Sequence, residues 1–216
     1  MTEQSDWWGS EFGSEYMLRN PRHPDEMQAL YLRRFGMDRT TMNEEFLHAV
    51  PRDARILEVG CNVGVQLNLL ARMGFTDLHG VEINPVAVEH AEVLNTDLPI
   101  VVEEGTALDL PFADASFDLV YTSGVLIHIH PDDLARVQRE MVRCASRWIW
   151  GLEYYADNGH LEIPYRGQQG LLWKTDFAKA FLANAPGLRL AMQRLYTYLD
   201  EPGGVQDQMY LLERQS

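Results

Sequence analysis

From residue 54 onward, apolar residues come in short, nearly unbroken runs separated by stretches with a helical period. The runs are 55–61 (RILEVGC), 78–83 (LHGVEI), 99–105 (PIVVEEG), 117–124 (FDLVYTSG), 147–155 (RWIWGLEYY), 188–199 (LRLAMQRLYTYL) and 205–214 (VQDQMYLLER). Unbroken apolar runs of this length predict strands buried on both faces, the pattern of a parallel sheet with helices above and below. The helical stretches between them are 65–75, 84–95, 130–145 and 174–185. The second opens on Asn84-Pro85, an N-cap followed by proline in the first turn, and Gly74 closes the first. Runs six and seven have no helix between them and predict a terminal antiparallel pair. The expected fold class is α/β, a doubly wound, mostly parallel, seven-stranded sheet.

Residues 1–50 have a different rhythm and predict a helical cover, with helices in 21–36 and 38–50. The chain reads as one domain, 1–216, with the cover at 1–50 and the alternating core at 54–216. One irregular stretch, 153–173, is rich in Tyr, Gly and Pro, and a connection that long inside a compact domain is usually functional or mobile.

The chemistry starts at the first strand, which runs into Glu58-Val59-Gly60-Cys61-Asn62-Val63-Gly64. Glycines there give a tight turn and let a ligand touch backbone. Glu82 ends the second strand, where an acid can accept both hydroxyls of a ribose. Together they predict a nucleoside pocket at the strands' carboxyl ends. The dinucleotide pattern G-x-G-x-x-G is not met, because Asn62 stands where its middle glycine admits a pyrophosphate.

Composition narrows the partners. Of 216 residues, 46% are hydrophobic and 23% charged; 18 Lys and Arg against 32 Asp and Glu give a formal net charge of −14. Such a surface repels phosphate backbones and anionic lipid, and no basic run offsets it, so the expected partner is a small molecule rather than nucleic acid or membrane. No apolar run approaches the ~20 residues of a membrane span. The start is acidic and aromatic, unlike a secretory leader. The two cysteines, Cys61 and Cys144, fall in apparent core elements, and no His/Cys cluster has zinc spacing, so the expectation is a reduced cytoplasmic protein without a metal.

The ordered motifs over 54–130 resemble those of class I S-adenosylmethionine-dependent methyltransferases, whose fold is Rossmann-like. Glu58, Gly60 and Gly64, with Cys61 between, match the first motif, and Glu82 with Ile83 the second. EGTALDLPFADASFDLV matches the third, and the resemblance implies Thr106 and Ala107 at the adenine positions; in FDLVYTSGVLIHI it implies that Ser123 and Gly124 face the ligand and Val125 backs the adenine. The resemblance implies S-adenosylmethionine as cofactor. WWGSEFGSEYMLRN (7–20) and EIPYRGQQGLLWKTDF (162–177) further resemble the pseudaminic acid biosynthesis-associated methylases.

The acceptor side falls to the cover and the late insertion. Trp7, Trp8, Phe12, Tyr16, Tyr154, Tyr155, Tyr165 and Trp173 either wall the cofactor's cationic methionine end or pack as a lid. Arg19 is a candidate for the methionine carboxylate or a surface arginine; Glu11 and Glu15 are candidates for its ammonium or a solvated face. His128 is a candidate general base or a loop-packing histidine, while His130 before Pro131 reads as a cap. Glu153 and Tyr154 are further acceptor contacts, and Arg166 and Lys174 suit an anionic acceptor or pair with the many acids. Three functions fit: methyl transfer to a small polar acceptor; cyclisation of the cofactor itself to azetidine-2-carboxylate and methylthioadenosine; or cofactor binding without catalysis. The sequence sets no oligomeric state.

Overall fold

The computed structural model describes residues 3–157, 159–165 and 167–215. The cover is four helices, α1 (Glu3–Trp8), α2 (Glu11–Arg19), α3 (Pro24–Phe35) and α4 (Arg39–Leu47). The core follows as β1 (Arg55–Val59), α5 (Val65–Arg72), β2 (Asp77–Glu82), α6 (Pro85–Leu94), β3 (Ile100–Glu104), β4 (Phe117–Ser123), α7 (Pro131–Cys144) and β5 (Ala145–Tyr154). A two-residue pair, β6 (Leu161–Glu162) and β7 (Trp173–Lys174), precedes α8 (Phe177–Asn184), β8 (Leu188–Thr197) and β9 (Gln206–Arg214).

Seven strands form one sheet in the order β3-β2-β1-β4-β5-β9-β8. The first five pair in parallel and the last two join antiparallel, as the apolar runs predict. The order turns between β1 and β4, so the crevice for a ligand opens above their carboxyl ends.

Period-two alternation divides the core. Leu57, Val59 and Val120 face α7 and α8, while Ile56, Leu119 and Tyr121 face α4 and α5. On α7, Leu134, Val137, Gln138, Met141 and Cys144 are buried at helical spacing, each apolar side chain contributing roughly 1.5–3 kcal/mol. Asn84 caps α6, accepting from the N–H groups of Val86 and Ala87 at 3.0 and 3.2 Å, and His130 caps α7 through Nδ1, accepting from Asp132 N–H at 3.2 Å. The stretch 153–173 carries the short β6–β7 pair, so its middle is tied back on itself rather than running loose. No helix among the described residues is long and apolar enough to cross a membrane.

Candidate functional site

The turn after β1 has φ of 73° at Gly60, 50° at Asn62 and 75° at Gly64. Asparagine is among the few side chains that tolerate the left-handed region. Asn62 Oδ1 accepts from the Val63 N–H at 2.8 Å, while its own N–H donates to Glu82 Oε2 at 2.8 Å. The residue that breaks the dinucleotide pattern therefore holds the turn against the acid. A Cβ on Gly60 would stand 2.8 Å from Val125 Cγ2, so the turn and the loop after β4 touch only because that position is bare. Gly60→Ala is expected to lower stability by about 1–3 kcal/mol, read as a lower melting temperature; an unshifted melt would refute the close packing.

Glu82 Oε1 takes the Asn84 N–H at 2.9 Å, so each carboxylate oxygen holds one backbone donor and keeps a lone pair for a ribose hydroxyl. Burial pushes this carboxyl up and the backbone donors pull it back. Asn84 has a second role: its Nδ2 donates to the carbonyls of Trp8 and Ser10, each at 3.1 Å, fastening the cover to the ribose turn.

These groups line one cavity of about 350 Å³ at the sheet's carboxyl edge. Glu58, Gly60, Cys61, Glu82, Ile83, Thr106, Ala107, Ser123, Gly124, Trp8, Tyr16, His128 and Tyr154 all stand on its wall. Gly124, with φ of 69°, has no atom within 4 Å of where a Cβ would lie. Gln66, at the start of α5, is 3% exposed, and neither polar atom of its side chain finds a partner among the described residues. The free valences of Glu82 and the bare backbone at Gly60 and Gly124 fit an adenosyl group carrying an amino-acid tail.

Glu58 lies deeper. Tyr121 donates its hydroxyl to Oε2 at 2.9 Å, and burial pushes the carboxyl up to about 8. Cys61 presses its thiol on Gly80, where a Cβ would stand 2.5 Å from Sγ, and burial pushes the thiol far up, so it is an inert packing group.

Several sequence expectations need correction. Arg19 is not on the cavity wall; it pairs with Glu15, one helical turn away on α2, at 3.3 Å. Glu11 and Glu15 are exposed. Gly64 shapes the turn and heads α5 without lining the cavity. Glu153 is fully buried on the face of β5 opposite Leu152 and Tyr154, because successive strand residues alternate. Its oxygens take the N–H groups of Val125 and Ile127 at 3.2 and 3.4 Å, so it braces the loop after β4; burial pushes it up to about 7. Trp7 and Phe12 pack on each other at 5.3 Å beside a shallow surface depression, since consecutive helical residues point roughly 100° apart and Trp8 takes the inward direction. Trp173 packs on His130 at 5.3 Å, and Tyr155 also stands off the wall. Arg166 lies outside the described residues. Lys174 rests over the Tyr154 ring at 5.1 Å.

The aromatic residues that remain on the wall are Trp8, Tyr16, Tyr154 and Tyr165, with the His128 ring among them. The His128 ring centroid lies 4.4 Å from Trp8, 5.9 Å from Tyr16 and 5.5 Å from Tyr165. Its Nδ1 sits 2.8 Å from the Leu171 carbonyl, which only accepts, so Nδ1 carries the proton and the lone pair is on Nε2. Burial pushes the imidazole down to about 4, leaving it neutral across the physiological range.

Residues missed in the sequence include one face of α3. Met27, Leu30, Tyr31 and Arg34 line the cavity at i, i+3, i+4 and i+7, a stripe readable as amphipathic but without a mark of function. Asp207, near the start of β9, is also on the wall. No group of three or more potential metal ligands occurs among the described residues.

Comparison with known proteins adds the decisive observation: residues 57–147, which carry the turn, Glu82 and the loop after β4, match the methyltransferase domain family. Residues 57–147 match that family, and the sheet they help build has the class I methyltransferase fold. S-adenosylmethionine is the cofactor that this match supports. The chain is 32% identical over 95 residues to ajmaline N-methyltransferase of Rauvolfia serpentina, covering 42% of this chain and 32% of that protein. It is 30% identical over 129 residues to 24-methylenesterol C-methyltransferase 2 of Oryza sativa subsp. japonica, covering 54% and 35%. The matched part thus spans about a third of these curated relatives. A SAM-dependent methyltransferase from Methanosarcina mazei shares the fold, with a TM-score of 0.64 at 16% identity over 78% of this chain and 96% of that one.

Proposed function

We propose that the chain is a methyltransferase acting on a small polar acceptor. The observation that carries this is a single cavity joining a nucleoside-holding end, centred on Glu82, to an enclosed aromatic wall around His128. When bound, S-adenosylmethionine supplies an activated methyl group. Glu82 fixes its ribose, and the aromatic faces favour the sulfonium by about 0.5–2 kcal/mol. Positioning supplies much of the rate, because the methyl needs only an aligned nucleophile at contact distance. His128 offers the Nε2 lone pair as a hydrogen-bond acceptor that aims the nucleophile. The resemblance of 7–20 and 162–177 to the pseudaminic acid biosynthesis-associated methylases supports a place in a biosynthetic route, and two free, buried cysteines suit a reducing cytoplasm.

The test is incubation with S-adenosylmethionine, with and without candidate small acceptors. S-adenosylhomocysteine formed only with acceptor supports transfer. Methylthioadenosine formed without any acceptor overturns it in favour of cyclisation, and no product despite firm cofactor binding leaves a binder. His128→Ala is expected to keep cofactor affinity and lower kcat by about 10²-fold, the cost of a nucleophile left about 1 Å out of line. An unchanged kcat removes His128 from the mechanism.

A further inference from the structure

At the end of the cavity away from Glu82, the wall becomes polar again. Arg34 and Tyr31 descend from α3, and Tyr154 and Asp207 are cross-strand partners on β5 and β9. The Arg34 guanidinium lies 4.5 Å over the Tyr198 ring, and its Nε stands 3.9 Å from Asp200 Oδ1 in an ion pair. Tyr198 donates its hydroxyl to Asp207 Oδ1 at 2.9 Å. Arg39, fully buried behind this wall, donates to the Tyr31 hydroxyl at 3.1 Å and to Ser123 Oγ at 3.3 Å.

This end lies past the cofactor. The ribose acid is on β2, and Ser123 on β4 is two strands along; Asp207 on β9 is two strands further. At about 4.8 Å per strand, that is roughly 10 Å beyond Ser123. An adenosine anchored at Glu82, with its adenine toward Thr106, runs its methionine tail over β1 and β4, leaving β5 and β9 to a second molecule.

We propose that this end is the acceptor subsite and that it takes a small amino acid, with its carboxylate on Arg34 and its amine on Asp207. The inference rests on the methyltransferase reading and deepens it. A wall that presents one guanidinium and one carboxyl is best matched by a ligand bearing both opposite charges, because a singly charged ligand sets its charge beside a protein charge of its own sign. The guanidinium suits a carboxylate, which it can grip through two N–H groups. Asp207 is a suitable acid for the amine: burial pushes it up to about 7, so as a carboxylate it can take a proton from an ammonium. The step then balances. The ammonium proton passes to Asp207, the freed nitrogen pair forms the N–C bond to the methyl, and the methyl–sulfur bonding pair stays on sulfur. The products are S-adenosylhomocysteine, the N-methyl amino acid and one proton, later released from Asp207.

The experiment is calorimetric titration of the protein saturated with S-adenosylhomocysteine, using the common α-amino acids one at a time, with acetate and methylammonium as half-ligand probes. At least one amino acid is expected to bind, about tenfold or more tighter than either half-ligand. Arg34→Gln and Asp207→Asn should each weaken that binding at least about tenfold and leave S-adenosylhomocysteine affinity within about twofold. S-adenosylhomocysteine binding with no amino acid following it overturns this inference alone. So does an equal loss of S-adenosylhomocysteine affinity in the two variants, which would seat the cofactor's own amino-acid tail there. A protein that binds no S-adenosylhomocysteine overturns the methyltransferase reading itself.

Discussion

Glu82→Ala is expected to weaken S-adenosylhomocysteine binding by about 10²–10³-fold in calorimetry. Two ribose hydroxyls donating to an ionised acceptor are worth roughly 1.5–3 kcal/mol each. The carboxylate also holds the N–H groups of Asn62 and Asn84, so its removal leaves both donors unmatched and loosens the turn from the ribose side. Glu82→Gln keeps one acceptor oxygen and should fall between alanine and wild type. Affinity within about threefold of wild type in the alanine variant would mean that the nucleoside is held elsewhere.

The other large effect is a loss of fold stability toward alkaline pH. Glu58 is pushed up to about 8, and Glu153 and Asp207 to about 7, in each case first by burial. In the unfolded chain these groups titrate near ordinary carboxyl values. Between those values and the folded ones the folded state holds more protons, so stability is full below the unfolded values and declines as pH rises to about 8. Each group contributes at most about 1.4 kcal/mol per pH unit, the three acting together. The cofactor-free protein should therefore melt several degrees lower at about pH 9 than at about pH 6. Glu58→Gln, which keeps an acceptor for the Tyr121 hydroxyl, should flatten the profile. Equal melting temperatures at the two pH values would show that these carboxyls are already ionised in the fold.

The sheet was legible because its signal is local. Unbroken apolar runs such as 55–59 and 117–123 have to be strands covered on both faces, and the Asn84-Pro85 pair marks a helix start wherever it lies. The Glu82 end of the cavity was legible for a similar reason: Gly60, Asn62 and Glu82 act through backbone geometry that neighbouring residues dictate. The far end was not. Arg19 and Arg34 look equivalent as letters in helical stretches, and only the docking of α3 across the sheet turns Arg34 inward while Arg19 pairs along its own helix. Glu153 and Tyr154 differ by one position, and strand alternation sends one beneath the loop and the other onto the cavity wall. Asp207 sits on the last strand, and its place beside Tyr154 depends on antiparallel insertion between β5 and β8, a pairing across more than fifty residues.

The amide of Asn84 clasps the carbonyls of Trp8 and Ser10 one residue position past Ile83, at the turn whose backbone also donates to Glu82. One residue thus ties both together: its side chain fastens the first helices, and its backbone N–H steadies the Glu82 carboxylate. A substitution at Asn84 that frees the first helices therefore also shifts the turn that seats the acid.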